Sequence, residues 1–522
     1  MNLLNNWLRT NKLLTSLFML LFTTGVIYLI FGHQTISLMY EGKSIPFLNN
    51  LLNGRNENSL EFYVQRLDRY YLVFNILFAS VVVFTSVCFK LIRNLRPSLS
   101  TLNQDCAIIQ NVFLGKRNKR AFFIAILTGI SFYCLYLIIG INLVSNIEKF
   151  DFFGADVFKW LSWNNYNIYH KGSHPLILIL LEPFKFVLGF LPFSKPILAV
   201  LLNSFFGASA ISLSYLFWWQ QSKKYVETLM LTICFGLTMS QLVFSSIPES
   251  YAMAACTIIP TYILFLFCLQ SQRIYLFFWI FLGLLSIGIT ITNFAQTLVC
   301  FAITVLFIKD KNRIITIIEY VAIVICLCVV LNIIQKTFLG GVYFFFPDSL
   351  KSDMSYIKTT LFNNPVLILI ELFKHFFLVN FVSASPFPLT NDNSSKHIIF
   401  LSFFNRSLSY NPVGLLGTIL WVYIFVNGIY KQITLTANTN NKNSHIFLLG
   451  VSLAVLGNMA LHSVFGAEEM FLYTCDFTFP VLLLLVNYQL LQKPIFKIAL
   501  IILIFLMGIN NLSIMSSLIK YS

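Results

Sequence analysis

Charge is what this sequence has least of. Asp, Glu, Lys and Arg together make up 11% of its 522 residues, where a soluble globular chain carries about a quarter. Acids are the scarcer sign: 20 Asp and Glu stand against 35 Lys and Arg, a formal net charge of +15. So little charged surface cannot cover a soluble globule, which excludes a water-soluble fold around one large core. The basic residues fall in short clusters between apolar runs and form no continuous patch, so nucleic acid is not an expected partner. The ten Cys show no metal-ligand spacing, and Cys88, Cys134, Cys234 and Cys326 sit inside apolar runs as small buried hydrophobes do. No small-residue cleavage site follows the first apolar stretch, so it reads as a retained helix and not as a removed signal. No inverted internal repeat of the kind that builds many transporters is evident.

What is present is apolar length. Hydrophobic residues make up 57% of the chain, with 55 Phe and 23 Tyr among its aromatics. Lipid is the solvent that tolerates this much apolar surface, and a helix crossing it needs about 20 largely apolar residues. Thirteen stretches qualify as candidates: 14–31, 71–92, 121–144, 197–218, 226–246, 250–270, 274–292, 294–308, 314–334, 412–430, 446–463, 471–491 and 496–518. The expected fold class is therefore an all-α polytopic membrane protein of about 13 transmembrane helices with extracytoplasmic interfacial helices. The run 274–308 is too long for one straight span, and two short helices meeting near Asn293 fit it better.

Charge sets the expected orientation. Lys90, Arg93, Arg96, Lys116, Arg117, Lys119 and Arg120 mark the second loop as cytoplasmic. Lys223–Lys224, Arg273, Lys309–Arg313, Lys431–Lys442 and Lys493–Lys497 then fall on the same side, with the N-terminus inside and the C-terminus outside. Residues 1–120 read as a two-helix extension with a basic loop, and 121–518 as the main transmembrane domain. Two long segments, 145–196 and 335–411, are expected outside the cytoplasm. Within them the apolar runs 175–194 and 363–383 carry charges (Glu182 and Lys185; Glu371, Lys374 and His375), which suits interfacial or re-entrant helices more than spans.

Polar residues collect in four groups on that same side, and polar groups at a membrane need a reason. The first holds Asp151, Asp156, Lys159, His170 and His174, where a carboxylate could take a proton from an acceptor hydroxyl. Asp156 lies among Phe153, Gly154, Ala155 and Phe158, apolar neighbours of the kind that raise a carboxyl pKa, although an ordinary solvated loop acid reads equally well. The second is Ser245–Tyr251, a tight turn carrying Glu249 and Tyr251; a solvated turn is its plain alternative. The third is Thr292–Asn293, where Asn293 suits capping of broken helix ends better than substrate contact. The fourth is His462, Glu468, Glu469, Tyr473 and Asp476, which matches no metal motif, so no cofactor is assigned and a divalent metal is only compatible with it. Arg406, in the second long segment, offers a fork for phosphate.

Phe153-Gly154-Ala155-Asp156, His174-Pro175-Leu176, Pro248-Glu249-Ser250-Tyr251, and His462 followed by Phe471-Leu472-Tyr473 carry a resemblance. With the many helices around them they resemble the polyprenyl-phosphate-sugar-dependent membrane glycosyltransferases of the GT-C superfamily. The likeness is nearest to the bacterial branch related to protein mannosyltransferases and the lipid A aminoarabinose transferase. The architecture is similar over about residues 121–518. The chain departs from the pattern in its extension 1–120, in having no large soluble C-terminal domain, and in spacing Asp151 and Asp156 five residues apart. The resemblance implies an inverting transfer of a sugar from a polyprenyl-phosphate donor to an extracytoplasmic glycan, lipid or protein acceptor, in the bacterial inner membrane. It implies an Asp base in the first large loop, Asp156 or Asp151, with Glu249 as second candidate. Lys159, His174 and Arg406 are expected at the donor phosphate, with Asp151, His170, Tyr251, Asn293, His462, Glu468, Glu469 and Tyr473 as further substrate contacts. Two other classes compete. A polysaccharide polymerase or ligase would more often present Arg and His pairs in a large loop, and a transporter would put charges near mid-span.

Overall fold

The computed structural model describes residues 105, 118–144, 150–155, 157, 172–309, 311–345, 356–357, 364–390, 399–438, 442–485, 491 and 493–520. The chain divides into Met1–Thr101 and Leu102–Ser522, and every described residue belongs to the second unit. The candidate spans 14–31 and 71–92, most of the extension 1–120, and Asp156, Lys159 and His170 lie outside the described residues.

Helices account for nearly all of it. In chain order they are α1 (Lys119–Val144), α2 (Ile177–Leu188), α3 (Lys195–Ser222), α4 (Tyr225–Gly236), α5 (Met239–Phe244), α6 (Ser250–Ser271), α7 (Leu276–Ile289), α8 (Asn293–Ile308) and α9 (Arg313–Phe338). There follow α10 (Pro365–Phe373), running on as a π-helix over Lys374–Val379, then α11 (Pro412–Asn438), α12 (Lys442–His462), α13 (Thr478–Leu485) and α14 (Pro494–Lys520). Seven are long and apolar enough to cross a membrane (α1, α3, α6, α9, the Pro412–Lys431 part of α11, α12 and α14), and α4, α7 and α8 are shorter apolar helices. The chain is a multi-pass membrane protein built as a helical bundle. Apolar side chains such as Ile138, Phe281, Ile314, Leu416 and Phe505 point outward, as a lipid-facing surface requires.

Three expected spans are built differently from a continuous helix. The run 226–246 breaks at Leu237–Thr238, where the carbonyl of Leu237 takes a bond from the Asn511 amide of α14 instead of continuing a helix. The run 274–308 breaks where expected: α7 ends at Ile289, Thr290 is extended and α8 starts at Asn293. The run 471–491 is not helical from its start; two 3-10 turns, Ala467–Glu469 and Leu472–Asp476, precede α13.

The two long segments hold a small element that hydropathy does not signal. β1 (Phe150–Phe152) of the first pairs in parallel with β3 (Ile399–Ser402) of the second, and β3 pairs antiparallel with β2 (Phe387–Thr390), in the order β1–β3–β2. Asp151 stands opposite Phe400 in that register. The run 363–383 is an inserted element more than a surface one, because Phe376, Val379, Phe381 and Val382 are buried. Polar ties hold it there: Trp421 donates to the Phe377 carbonyl, the Asn511 side chain bonds Ser383 and Phe381, and Thr478 donates to Asn380. With so little water available, each buried backbone group released by a helix break needs such a partner.

Candidate functional site

α3 builds the turn that carries Glu249. Asn203 donates its amide to the Phe244 and Ile247 carbonyls, and Ser204 donates to the Ser245 carbonyl. Two glycines let the backbones close: a Cβ on Gly140 of α1 would meet the Ser246 carbonyl at 2.3 Å, and one on Gly207 of α3 would meet the Ser245 side chain at 2.3 Å. The turn therefore ends inside protein. Glu249 is 3% exposed and is the N-cap of α6, accepting from the Ser250 amide at 2.8 Å and the Ser250 hydroxyl at 3.1 Å. The solvated-turn reading of Glu249 is thereby corrected.

The broken helix supplies a second wall. Residues 173–176 run beside the α7–α8 break, with the Ile291 amide donating to the Ser173 carbonyl and the Leu176 amide to the Gly288 carbonyl. His174 is buried there. Its Nδ1 lies against the Ile289 carbonyl, which assigns the proton to that nitrogen, and 3.3 Å from the Thr290 hydroxyl. From α9, Asn332 and Gln335 donate to the Pro175 carbonyl, and Gln335 accepts from the first free amides of α2. Asn293 does not cap the break. It is the first residue of α8, its side chain lies beside the Asp476 carboxyl, and the N-cap, Thr292, makes no side-chain cap bond.

The turn after β1 closes a third side. Phe153 and Gly154 both have positive φ, 62° and 87°, and the Ala155 amide donates back to the Phe152 carbonyl, the pattern of a type I′ turn. A phenylalanine in the left-handed region is strained. Stacking on Phe403 at 5.3 Å and packing on Phe471 at 4.6 Å hold it. Gly154 passes directly under Glu469: a Cβ there would stand 2.8 Å from the Glu469 carboxyl carbon. This turn leads straight into position 156.

These pieces enclose one cavity of about 200 Å³. Its lining includes His174, Glu249, Tyr251, Thr292, Glu469 and Tyr473, so members of all four polar groups from the sequence meet at one place, joined by Gly154, Ser173, Thr290, Ile291 and Leu472. Tyr251 and Tyr473 meet edge to face at 5.9 Å, and His462, behind the lining, stacks flat on Tyr473 at 4.1 Å. Among the lining residues that carried no sequence signal are two rings, Tyr356 from the second long segment and Phe465, brought together by the bridge Ile357–Phe465 and the bond from the Gly466 amide to the Tyr356 carbonyl.

The other candidates sit elsewhere. Arg406 is exposed, with its guanidinium 4.7 Å above the Phe387 ring, and does not line this cavity. Glu468 lines a neighbouring pocket with His375, Ser402 and Phe403, and Glu469 borders both. Behind that small pocket Lys374 holds Glu371 at 2.6 Å, with both side chains buried. Burial raises the Glu371 carboxyl above its ordinary range despite the ammonium, and burial pushes the His375 imidazole down to about 3. Asp476 closes the 3-10 turn ahead of α13, 5% exposed. Burial holds its carboxyl well above the ordinary range, and nearby Glu249 adds to that. Among the described residues no group of three or more His, Cys, Asp or Glu stands close enough to hold a metal ion.

No protein-family model matches the chain. No curated protein and no solved structure matches it either. The functional reading therefore rests on the cavity and its chemistry.

Proposed function

We propose that this protein is a GT-C-type glycosyltransferase of the bacterial inner membrane, moving a sugar from a polyprenyl-phosphate donor to an extracytoplasmic glycan, lipid or protein acceptor with inversion. The observation that carries the reading is the convergence of separated chain segments on one cavity where carboxylates stand among aromatic rings. Carboxylates accept bonds from sugar hydroxyls, and rings such as Tyr251, Tyr356, Phe465 and Tyr473 pack against the apolar faces of a pyranose.

The chemistry needs one base. The leaving group is a lipid-bound phosphate, stable as an anion, so it needs charge stabilisation more than a strong acid. The acceptor hydroxyl attacks the anomeric carbon as its proton passes to a carboxylate, and the bond to the phosphate oxygen breaks on the opposite face. Asp156 is the proposed base, since the strained Phe153–Gly154 turn delivers the chain to the cavity two residues before it. Glu249, fixed by Ser250, orients the acceptor or takes the base role itself. His174, Lys159 and Arg406 are the candidate phosphate contacts, of which His174 lines the cavity.

The test is reconstitution of the full chain in lipid vesicles with a panel of polyprenyl-phosphate sugars labelled in the sugar. Release of polyprenyl phosphate with transfer of label is expected, and Asp156→Asn should slow it by roughly 10²–10⁴. Near-normal turnover in Asp156→Asn with loss in Glu249→Gln would move the base to Glu249. A product of retained anomeric configuration would sink the single displacement. Vesicle uptake of a free solute without any reaction of lipid-linked donors would replace the reading by a transporter.

A further inference from the structure

α2 begins at the cavity wall, and its own residues do not fix where it starts. Its N-cap position is Leu176, which has no side-chain acceptor for the first free amides of the helix. The cap comes from α9 instead: Gln335 accepts from the Leu178 and Ile179 amides at 3.0 and 3.1 Å. The Gln335 and Asn332 side-chain amides both donate to the Pro175 carbonyl, at 3.0 and 2.7 Å. These two residues share one face of α9, a turn apart, and are 3% and 0% exposed. α9 is the most apolar of the seven long helices, so two buried carboxamides near its end need a reason.

Asn332 also holds a second piece of chain. α9 ends at Phe338, and Gly340 and Gly341 follow with φ of 91° and 87°, where glycine is at ease and other residues are strained. The chain turns back there along the helix. Asn332 donates to the Val342 carbonyl at 3.2 Å and accepts from the Phe344 amide at 3.3 Å. Both N–H groups and the oxygen of this one side chain are thus engaged, shared between the wall 173–176 and the strap 340–344. Phe344 packs against the main core, and the chain runs on from the strap to Tyr356 in the cavity lining.

We infer that Asn332 and Gln335 are the positioning residues of the His174 side of the cavity: Gln335 sets the start of α2, and Asn332 couples the wall 173–176 to the strap 340–344, so that the two long segments move as one. The wall cannot draw back from the cavity without giving up the bonds to the Pro175 carbonyl, and the strap cannot lift without releasing the side chain that makes one of them. What the wall then grips rests on the proposed function; the coupling does not.

Amide hydrogen exchange of the full chain in lipid vesicles tests the coupling. In the unaltered protein Leu178 and Ile179 should be protected like the interior of α2, although the first amides of a helix ordinarily exchange freely. This arm does not depend on any variant folding, and fast exchange at both amides overturns the inference. Gln335→Met, close in volume but without the bonds, should speed exchange at those two amides by roughly 5–30-fold, the worth of one or two hydrogen bonds, and leave Phe344 unchanged. Asn458→Ala, which removes a buried amide bonded to the Ala454 carbonyl of its own helix, should leave all three unchanged. The deciding arm is a double-mutant cycle read at Leu176, whose amide donates to the Gly288 carbonyl in the wall. Gly341→Ala, strained at its positive φ, should speed exchange there in the parent and add little to Asn332→Leu. Additive effects overturn the coupling and leave Asn332 as a packing residue. Where lipid-linked donors react, Gln335→Met should raise the donor KM more than it lowers kcat, since His174 is the phosphate contact. If the exchange pattern is found and every donor proves inert, the inference stands and only the glycosyltransferase reading falls.

Discussion

Glu227 and Glu249 are buried almost equally, at 4% and 3% exposed, but their partners differ in kind. Glu227, in the first turn of α4, receives the Lys497 ammonium of α14 at 2.6 Å, and Lys224 stands 4.0 Å away. Glu249 is held by the amide and hydroxyl of one serine, has a second acid near it, and faces a cavity. An opposite charge at hydrogen-bond distance ties helices together. A carboxyl that caps a helix and lines a cavity stands where functional acids are found. The difference lies in surroundings, since both residues are lone glutamates near the start of a helix.

The largest effects should separate the two. Glu249→Gln is expected to lower turnover, because the cavity loses the carboxylate that orients the acceptor, with a melting temperature near that of the parent since the amide oxygen still caps the helix. Glu227→Gln should leave turnover per folded molecule unchanged and lower stability by about 1–3 kcal/mol, an intermediate figure because Lys497 is partly exposed. Paired turnover and thermal-melt measurements check this, and the reverse pattern would invert the assignment.

Next in size comes Gly154→Ala, which puts a Cβ against Glu469 at a residue with φ of 87°. The backbone alone costs about 1–2 kcal/mol, and the displaced Glu469 should reduce turnover further. Gly457→Ala, with nothing within 4 Å of the new Cβ, should leave turnover unchanged. Equal effects of the two on turnover would deny the Gly154 turn any special place at the cavity.

The pH dependence of melting sharpens the contrast with another buried acid, Glu371. His375, depressed from 6.5 to about 3, binds fewer protons folded than unfolded between those values, so it destabilises the fold as pH falls through that window. Glu371, raised from 4.5, binds more protons folded than unfolded just above that value and acts with the opposite sign. His375→Gln should therefore flatten the loss of melting temperature between pH 6.5 and 3. An unchanged slope would show that another group dominates. The smallest perturbation concerns orientation: with cysteine introduced at Ser173 and at Asn440, an impermeant reagent added outside should label Ser173→Cys only. Labelling of Asn440→Cys instead would turn the whole bundle over.

Much of the bundle was legible from hydropathy alone, because period and length of apolar runs depend on nothing distant. The break near Asn293 was legible too, since a run that long cannot cross once and straight. The sheet was not. β1 lies more than two hundred residues from β2 and β3, and strands of three or four residues leave no pattern for hydropathy to find. The 3-10 start of 471–491 was hidden for a similar reason: its residues are as apolar as a helix, and what distinguishes them is a local bond from the Thr474 hydroxyl to the Phe471 carbonyl together with bonds across the bundle from Thr478 to Asn380 and from Gln241 to Cys475.

By itself the sequence determined the solvent, the helices and the four places where polar residues gather, for composition and spacing are local properties. Only the tertiary structure decided that members of those four groups share one cavity, that Tyr356 and Phe465 join them, that Arg406 rests on Phe387 outside it, and that Asp476 is buried in the neighbourhood of Glu249. The physical reason is that a carboxyl's role depends on burial, dielectric and the nearest charge. Those are set by residues brought together from α6, α8 and the turns before α13, far apart in sequence and adjacent only once the helices pack.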